Sequence, residues 1–220
     1  MKKYSEIILK YLWLIAACCA FTACEKEHLQ PDITGTQTQP LVFISAILGT
    51  DTVHLEGGVD SYIGQAWVAD TGSLRYFCFY LYDENNISPP KRCFKIYVNN
   101  SRFNLGVPEQ DMDSTIVADS LYYQDYSNGF IPSAVTVEWY DSTGTQFSSA
   151  MWPQFNNFVI TSVEDISYAN RLYKKATVEF DCTLMDSTFN FIPLTNGRAT
   201  LLFVADPHAW RPGESIIDIN

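Results

Sequence analysis

The sequence is poor in positive charge and contains none of the short motifs that mark familiar catalytic sites. Only 14 Lys and Arg residues stand against 25 Asp and Glu residues, and the formal net charge is −11 at pH 7. Binding to nucleic acid needs clustered basic residues, and here they are scattered, which argues against a nucleic-acid partner. A Gly-x-Ser-x-Gly elbow, a His-Glu-x-x-His pair and a P-loop are missing, so the sequence indicates no common hydrolase or nucleotide site.

Residues that commonly bind metals are few. The three histidines, His28, His54 and His208, are distant in sequence from one another and from the cysteines, which does not match the ligand spacing of a zinc site. Asp111 and Asp113 lack the residue spacing and the central glycine of an EF-hand calcium loop. We therefore predict neither a metal nor a cofactor.

What the chain has in quantity are apolar and aromatic residues. Apolar residues make up 47% of the sequence and aromatic residues 15%. This aromatic content favours strands over helices. From Leu41 onward, short apolar or alternating runs are separated by turn residues, which predicts an all-β, immunoglobulin-like antiparallel β-sandwich. We expect two packed modules, 41–132 and 133–220, with one short helix in the connection 99–131.

The N-terminal segment 1–23 has the form of a secretory signal peptide. Three lysines and one glutamate within its first ten residues precede an apolar run. The uncharged stretch from Tyr11 to Cys24 has 14 residues, whereas a membrane-spanning helix needs about 20. Residues 24–40 are polar and lack an apolar period, so they are predicted to form a flexible tether.

Sequence around the end of this signal resembles that of bacterial lipoproteins. Phe21-Thr22-Ala23-Cys24 is similar to a lipobox, and Glu25-Lys26-Glu27 is similar to the acidic signal that sends Bacteroidota lipoproteins to the cell surface. The resemblance implies that Cys24 carries acyl chains, which anchor the protein in the outer membrane with its folded part on the cell surface. The alternative is a secreted protein cleaved near Ala23.

Two β-hairpins are predicted in detail. In the piece from Val135 to Phe147, Val135, Val137 and Trp139 can share a buried face, and Asp141-Ser-Thr-Gly144 supplies turn residues. This piece resembles part of immunoglobulin-like and PKD-like modules. Together with the lipobox and tether, it makes the chain similar to uncharacterised Bacteroidota surface lipoproteins, a group that implies location and fold but no activity.

The other hairpin bears on the cysteines. Cys18 and Cys19 leave with the signal, so Cys78, Cys93 and Cys182 remain beside the lipidated Cys24. If strands 75–82 and 92–98 pair with Phe77 opposite Phe94, Cys78 lies opposite Cys93, and we predict a disulfide between them. Cys182 alternates with polar neighbours and is predicted to be a buried free thiol.

The candidate ligand contacts are two tryptophans beside prolines and polar residues. Trp152 precedes Pro153, and Trp210 lies in the polar run Asp206–Gly213, so both can be exposed. The leading hypothesis is a non-enzymatic binding or accessory subunit of a glycan, adhesion or uptake assembly, with a partner that is a glycan or an outer-membrane protein. The alternative is a carboxylate-dependent surface glycan hydrolase, for which the candidate acids are Asp111, Asp113, Glu164 and Asp165.

Short Asp-Ser/Thr motifs recur along the chain. Asp141-Ser-Thr143 and Asp186-Ser-Thr188 are examples. They resemble the O-glycosylation acceptor of Bacteroidota, and they are equally typical of turns at strand ends, where the aspartate bonds nearby main-chain N–H groups. Both interpretations stay open on sequence alone.

Overall fold

The computed structural model describes residues 41–71, 74–88, 90–100, 108–124, 134–168 and 171–205, which belong to one compact unit. Its strands are β1 Phe43–Leu48, β2 Asp51–Glu56, β3 Tyr62–Thr71, β4 Leu74–Asp83, β5 Cys93–Asn100, β6 Ser120–Tyr123, β7 Ala134–Tyr140, β8 Gln146–Ser148, β9 Phe158–Tyr168, β10 Arg171–Met185 and β11 Phe191–Val204. The α-helix α1 spans Pro108–Thr115, inside the connection where a short helix was predicted. Two 3-10 turns span Glu84–Asn86 and Ser149–Met151.

Hydrogen bonds join all these strands into one large sheet. The order is β2-β1-β11-β10-β9-β6-β7-β5-β4-β3, and β8 pairs with both β7 and β10 beside this path. The pairing is antiparallel except between β6 and β7. Because β11 also packs against β3 and β4, the sheet folds over and encloses the core between its halves. The predicted all-β, sandwich-like fold is confirmed.

Strands from both predicted modules, 41–132 and 133–220, take part in this sheet. The first strand, β1, pairs with the last, β11, and β5 pairs with β7. Among the described residues, no helix combines the length and the apolar character that a membrane span requires.

The hairpin of β4 and β5 shows what alternation can and cannot predict. The expected core face is confirmed, since its members are fully buried: Phe77, Phe79, Leu81, Phe94, Ile96 and Val98. The expected register is wrong. Phe77 lies opposite Val98, and Cys78 lies opposite Tyr97 rather than Cys93. This pairing differs from the expected one by four residues, an even number, so every side chain keeps its face.

The observed register uses more of both strands. It pairs Arg75 with Asn100 and continues to Leu81 opposite Phe94. The expected register would have left the end of β4 without main-chain partners on β5, which is costly for a buried strand. The 3-10 turn Glu84–Asn86 follows β4 directly, and the Asp83 carboxylate stabilises it by accepting the Asn85 N–H at 2.9 Å.

The β7–β8 hairpin forms as predicted. Val135, Val137 and Trp139 are buried, and the Asp141 carboxylate accepts the N–H of Thr143 at 2.8 Å. Gly144 has φ +90°, a conformation that favours glycine. The turn interpretation of this Asp-Ser-Thr motif is therefore confirmed.

Candidate functional site

Trp152, one of the two candidate contact residues, lies on the surface. It follows the 3-10 turn Ser149–Met151, and 44% of it is exposed. Its indole contacts the ring of Phe191 edge to face, with centroids 5.1 Å apart and an interplanar angle of 82°. The other candidate, Trp210, and the predicted lipidation site, Cys24, lie outside the described residues.

Trp152 belongs to a group of exposed apolar side chains, which we call the aromatic rim. Its members are Met151, Trp152, Phe155, Phe189 and Phe191. Phe155 is 92% exposed and Phe189 is 73% exposed. They come from two neighbouring segments, 151–155 after β8 and 189–191 at the turn between β10 and β11. Clusters of exposed apolar residues beside polar ones usually mark a contact surface.

The first segment of the aromatic rim is attached to β10 by one side chain. Gln154 Nε2 donates to the carbonyls of Ser149 and Trp152, both at 2.9 Å, and to that of Thr183 at 2.8 Å. The Thr183 N–H donates to Gln154 Oε1 at 2.7 Å. The segment is therefore fixed in position, although its aromatic side chains are exposed.

The second segment is held by an aspartate turn. The Asp186 carboxylate accepts the N–H groups of Thr188 and Asn190, both at 2.8 Å, as expected for an Asp-Ser-Thr turn. Between them, Phe189 has φ +65°, a left-handed conformation that is uncommon and strained for a bulky residue. The turn thus holds a large aromatic side chain in solvent at a conformational cost.

A cleft of about 420 Å³ adjoins the aromatic rim. Met151 belongs to both. The lining residues are Glu138, Thr145, Gln146, Ser148, Met151, Met185 and Ser187. Ser148 connects the elements of the cleft, because it pairs with Glu138 of β7 and with Met185 of β10.

Glu138 carries the negative charge of the cleft. Its Oε2 accepts the hydroxyls of Tyr97 at 3.3 Å and Tyr140 at 3.4 Å. Lys95 lies nearby, with its Nζ 3.4 Å from the Tyr140 hydroxyl and 4.7 Å from the centre of that ring. Burial raises the pKa of Glu138, an effect that the positive charge of Lys95 opposes. The carboxylate is thus oriented by two tyrosines and remains accessible from the cleft.

The cysteines do not form the predicted disulfide. Cys78, Cys93 and Cys182 are all free and buried. The Cys93 sulfur lies 3.4 Å from the Tyr80 hydroxyl. Cys78, Tyr80 and Cys93 pack in the same cluster on one face of the sheet. Burial raises the pKa of Cys93 to about 11 and that of Cys182 to about 12, which suppresses their reactive thiolate forms. The prediction that Cys182 is a buried free thiol is confirmed.

The four acids of the hydrolase alternative are all paired with cations and lie outside the lining of the cleft. Asp113 and Asp165 lie close together because both contact Lys174. The contacts are Arg75–Asp111 at 2.7 Å, Lys174–Asp113 at 2.9 Å, Lys174–Asp165 at 2.8 Å and Lys175–Glu164 at 3.3 Å. Within the described ranges, no group of three or more metal-binding side chains occurs.

The sequence indicated that Trp152 can be exposed, but it led to no expectation for Glu138 or for the phenylalanines of the aromatic rim. The sequence did contain a signal for the exposed phenylalanines. Phe189 and Phe191 follow Asp186-Ser-Thr188, where a turn is expected to carry polar residues. No comparable signal existed for Glu138, whose surroundings depend on the pairing of β8 with β10.

Comparison with known proteins identifies no relatives. No protein-family model matches the chain. No curated protein and no solved structure matches it either. Any function must therefore be argued from the geometry of the chain itself.

Proposed function

We propose that this chain is a non-enzymatic, lipid-anchored protein of the outer membrane that acts on the cell surface as a binding or accessory subunit. Its contact site consists of the aromatic rim and the adjoining cleft. The partner is a glycan or an outer-membrane protein of an adhesion or uptake assembly. Acyl chains on Cys24 attach the protein to the membrane, and segment 24–40 carries the folded part away from it.

The observation that carries this proposal is the exposure of the aromatic rim. Large aromatic side chains normally supply the core of a β-sandwich, yet here Phe155 and Phe189 point into solvent. The segments that hold them are well bonded, and Phe189 occupies a strained backbone conformation. Strained residues that the surroundings hold in place tend to occur at binding sites. A contact surface accounts for all three features.

The hydrolase alternative receives less support from the cleft. Hydrolysis of a glycosidic bond by carboxylates needs a pair, about 5–9.5 Å apart. Among the seven lining residues, Glu138 is the one carboxylate. The acids suggested by the sequence are engaged with lysines or arginine elsewhere. A single acid held by two tyrosine hydroxyls suits binding better than catalysis.

The proposal is tested by affinity purification of the tagged, lipidated chain from its native membranes in mild detergent. Proteins and carbohydrate are measured in the same eluate, for the wild type and for the double variant Trp152→Ala/Phe155→Ser. Leu172→Ser is the matched control, because Leu172 is 54% exposed but lies at the start of β10, outside the aromatic rim.

We expect an outer-membrane protein at comparable abundance, or retained carbohydrate, with wild type and Leu172→Ser but not with the double variant. Equal recovery of the partner protein or carbohydrate with all three chains would show that the aromatic rim does not bind it. An eluate that contains the wild-type protein alone would overturn the proposal. The anchor is tested separately, since Cys24→Ser should move the protein from the membrane fraction to the soluble fraction.

A further inference from the structure

The lining of the cleft specifies the charge of its occupant. It offers one carboxylate, one amide, three hydroxyls and two thioethers. No lysine, arginine or histidine is among the seven residues. An anionic ligand would meet the Glu138 carboxylate without a compensating cation in the lining, which is unfavourable in a partly enclosed site. The positive charge of Lys95, beside Tyr140, already offsets the negative charge of Glu138, so the site does not call for a cationic ligand either. We therefore take the occupant to be neutral.

The polar groups of the cleft require a ligand that both donates and accepts hydrogen bonds. A carboxylate such as that of Glu138 can only accept, whereas the Gln146 amide, which itself bonds Glu138, can both donate and accept. In the β7–β8 register, Glu138 is opposite Ser148 and Tyr140 is opposite Gln146, so these four side chains project from one face of the hairpin. Glu138 Oε2 already accepts the hydroxyls of Tyr97 and Tyr140, so a ring hydroxyl would bond the other carboxylate oxygen, and such a charge-assisted bond is strong.

Apolar groups also line the cleft. Met151 and Met185 line the cleft, and Met185 lies opposite Phe191 in the β10–β11 register. Phe191 contacts Trp152. The thioethers of the cleft therefore lie next to aromatic residues of the aromatic rim. The volume of about 420 Å³ is within the range of small-molecule sites.

We propose that the cleft is a subsite for a neutral sugar ring of an oligosaccharide, with ring hydroxyls bonded to Glu138 and Gln146 and the apolar ring face packed against Met151, Met185 and the aromatic rim. A pyranose ring has hydroxyls at its edge and C–H groups on its faces, which matches a lining that offers both polar groups and thioethers. The inference rests on the proposed function, because it specifies the ligand class of the same contact site.

The test is isothermal titration of the lipidated full chain, held in a detergent without a sugar headgroup. The neutral probes are maltohexaose, cellohexaose, xylohexaose and mannohexaose, and the acidic probe is hexagalacturonate. We expect saturable binding of at least one neutral probe and none of the acidic probe. In Glu138→Gln, the affinity should fall about 10-fold or more, as for loss of a charged hydrogen-bond partner, while Leu172→Ser should bind like the wild type.

A second variant keeps the inference testable if Glu138→Gln does not fold. Ser187 is exposed and lines the cleft, so Ser187→Trp should fill the cleft without disturbing the core, and it should abolish binding of the neutral probe. Binding that both variants retain but Trp152→Ala loses would overturn the cleft subsite while supporting the aromatic rim. Binding of hexagalacturonate alone, or of no probe, would also overturn the subsite. A protein partner recovered from membranes would in that case still support the proposed function.

Discussion

The side-chain amide of Gln154 pairs with the main chain of Thr183 as a neighbouring strand would. The Thr183 N–H donates to Gln154 Oε1 at 2.7 Å, and Gln154 Nε2 donates to the Thr183 carbonyl at 2.8 Å. The same Nε2 also bonds the carbonyls of Ser149 and Trp152. One side chain therefore substitutes for a regular element where β8 has ended, and it holds the segment that carries Trp152 and Phe155.

Replacement of Gln154 by Glu should detach this segment. The new side chain has nearly the same shape but cannot donate, so the carbonyls of Ser149, Trp152 and Thr183 lose their partner. We expect a loss of about 1–3 kcal/mol in the free energy of unfolding and a weaker near-ultraviolet circular dichroism signal from Trp152. Urea unfolding and spectra measure the two effects. Gln110→Glu, at an exposed position of α1, is the control, and equal losses in both variants would contradict the argument.

The cysteines give a direct chemical test of the β4–β5 register. Because Cys78 lies opposite Tyr97, it should remain a thiol. Burial raises the pKa of Cys78, Cys93 and Cys182, so none should react with iodoacetamide at pH 8 in the folded protein. In urea, all three should react without a reductant, as read by mass spectrometry of the peptides. Labelling of Cys78 and Cys93 only after reduction would instead establish a disulfide between them.

The β4–β5 hairpin also shows which features of a β fold the alternation of apolar residues predicts. The apolar period of two correctly assigned Phe77 and Phe94 to the core, because any even shift preserves the face. The register depends in addition on how many main-chain bonds each alignment can form, which a side-chain pattern does not encode. Residues that are close in sequence to a turn, such as Asp141 and Gly144, were predictable because the turn is a local structure.

The proposed contact site was predictable only in part, for a similar reason. The exposure of Trp152 follows from its local sequence, beside Pro153. The cleft around Glu138 requires β8 to bridge β7 and β10, with Ser148 opposite Met185. These residues are distant in sequence, and their meeting depends on the packing of the whole sheet.

The attachment of α1 to the sheet should depend on a buried ion pair. Arg75 Nη1 lies 2.7 Å from Asp111 Oδ2, and the two side chains are 7% and 10% exposed. Asp111→Ala removes a close anionic partner from the buried Arg75 guanidinium, so it should lower the free energy of unfolding by up to about 3–5 kcal/mol. The double variant Arg75→Met/Asp111→Leu should be more stable than Asp111→Ala, because both charges are gone. Chemical denaturation of the three proteins checks this order, and a double variant less stable than Asp111→Ala would refute it.

The Asp141 turn should make stability depend on acid pH. Burial alone would raise the pKa of this carboxyl, but hydrogen bonds from the Thr143 hydroxyl and from the N–H groups of Thr145, Thr143 and Gly144 together lower it below its ordinary value. A lowered pKa in the folded state means that the unfolded chain binds the proton more tightly. The stabilisation by Asp141 is therefore present above about pH 3.9, the ordinary value for aspartate, and is lost as the pH falls through the lower, folded-state pKa.

Comparison with Asp141→Asn isolates this contribution from those of other acids. Asparagine keeps an acceptor oxygen but does not titrate, so at pH 7 the variant should be less stable than the wild type by up to about 1 kcal/mol, because a charged acceptor bonds more strongly but is partly screened by solvent here. Glu138 contributes to the pH dependence of stability with the opposite sign, because its pKa is raised. It is present in both proteins, so its contribution cancels in the difference between their free energies of unfolding. Urea unfolding from pH 7 to pH 2 should show the gap narrow once the wild-type carboxylate is protonated. A gap that stayed constant over this range would mean that the charge of Asp141 does not stabilise the turn.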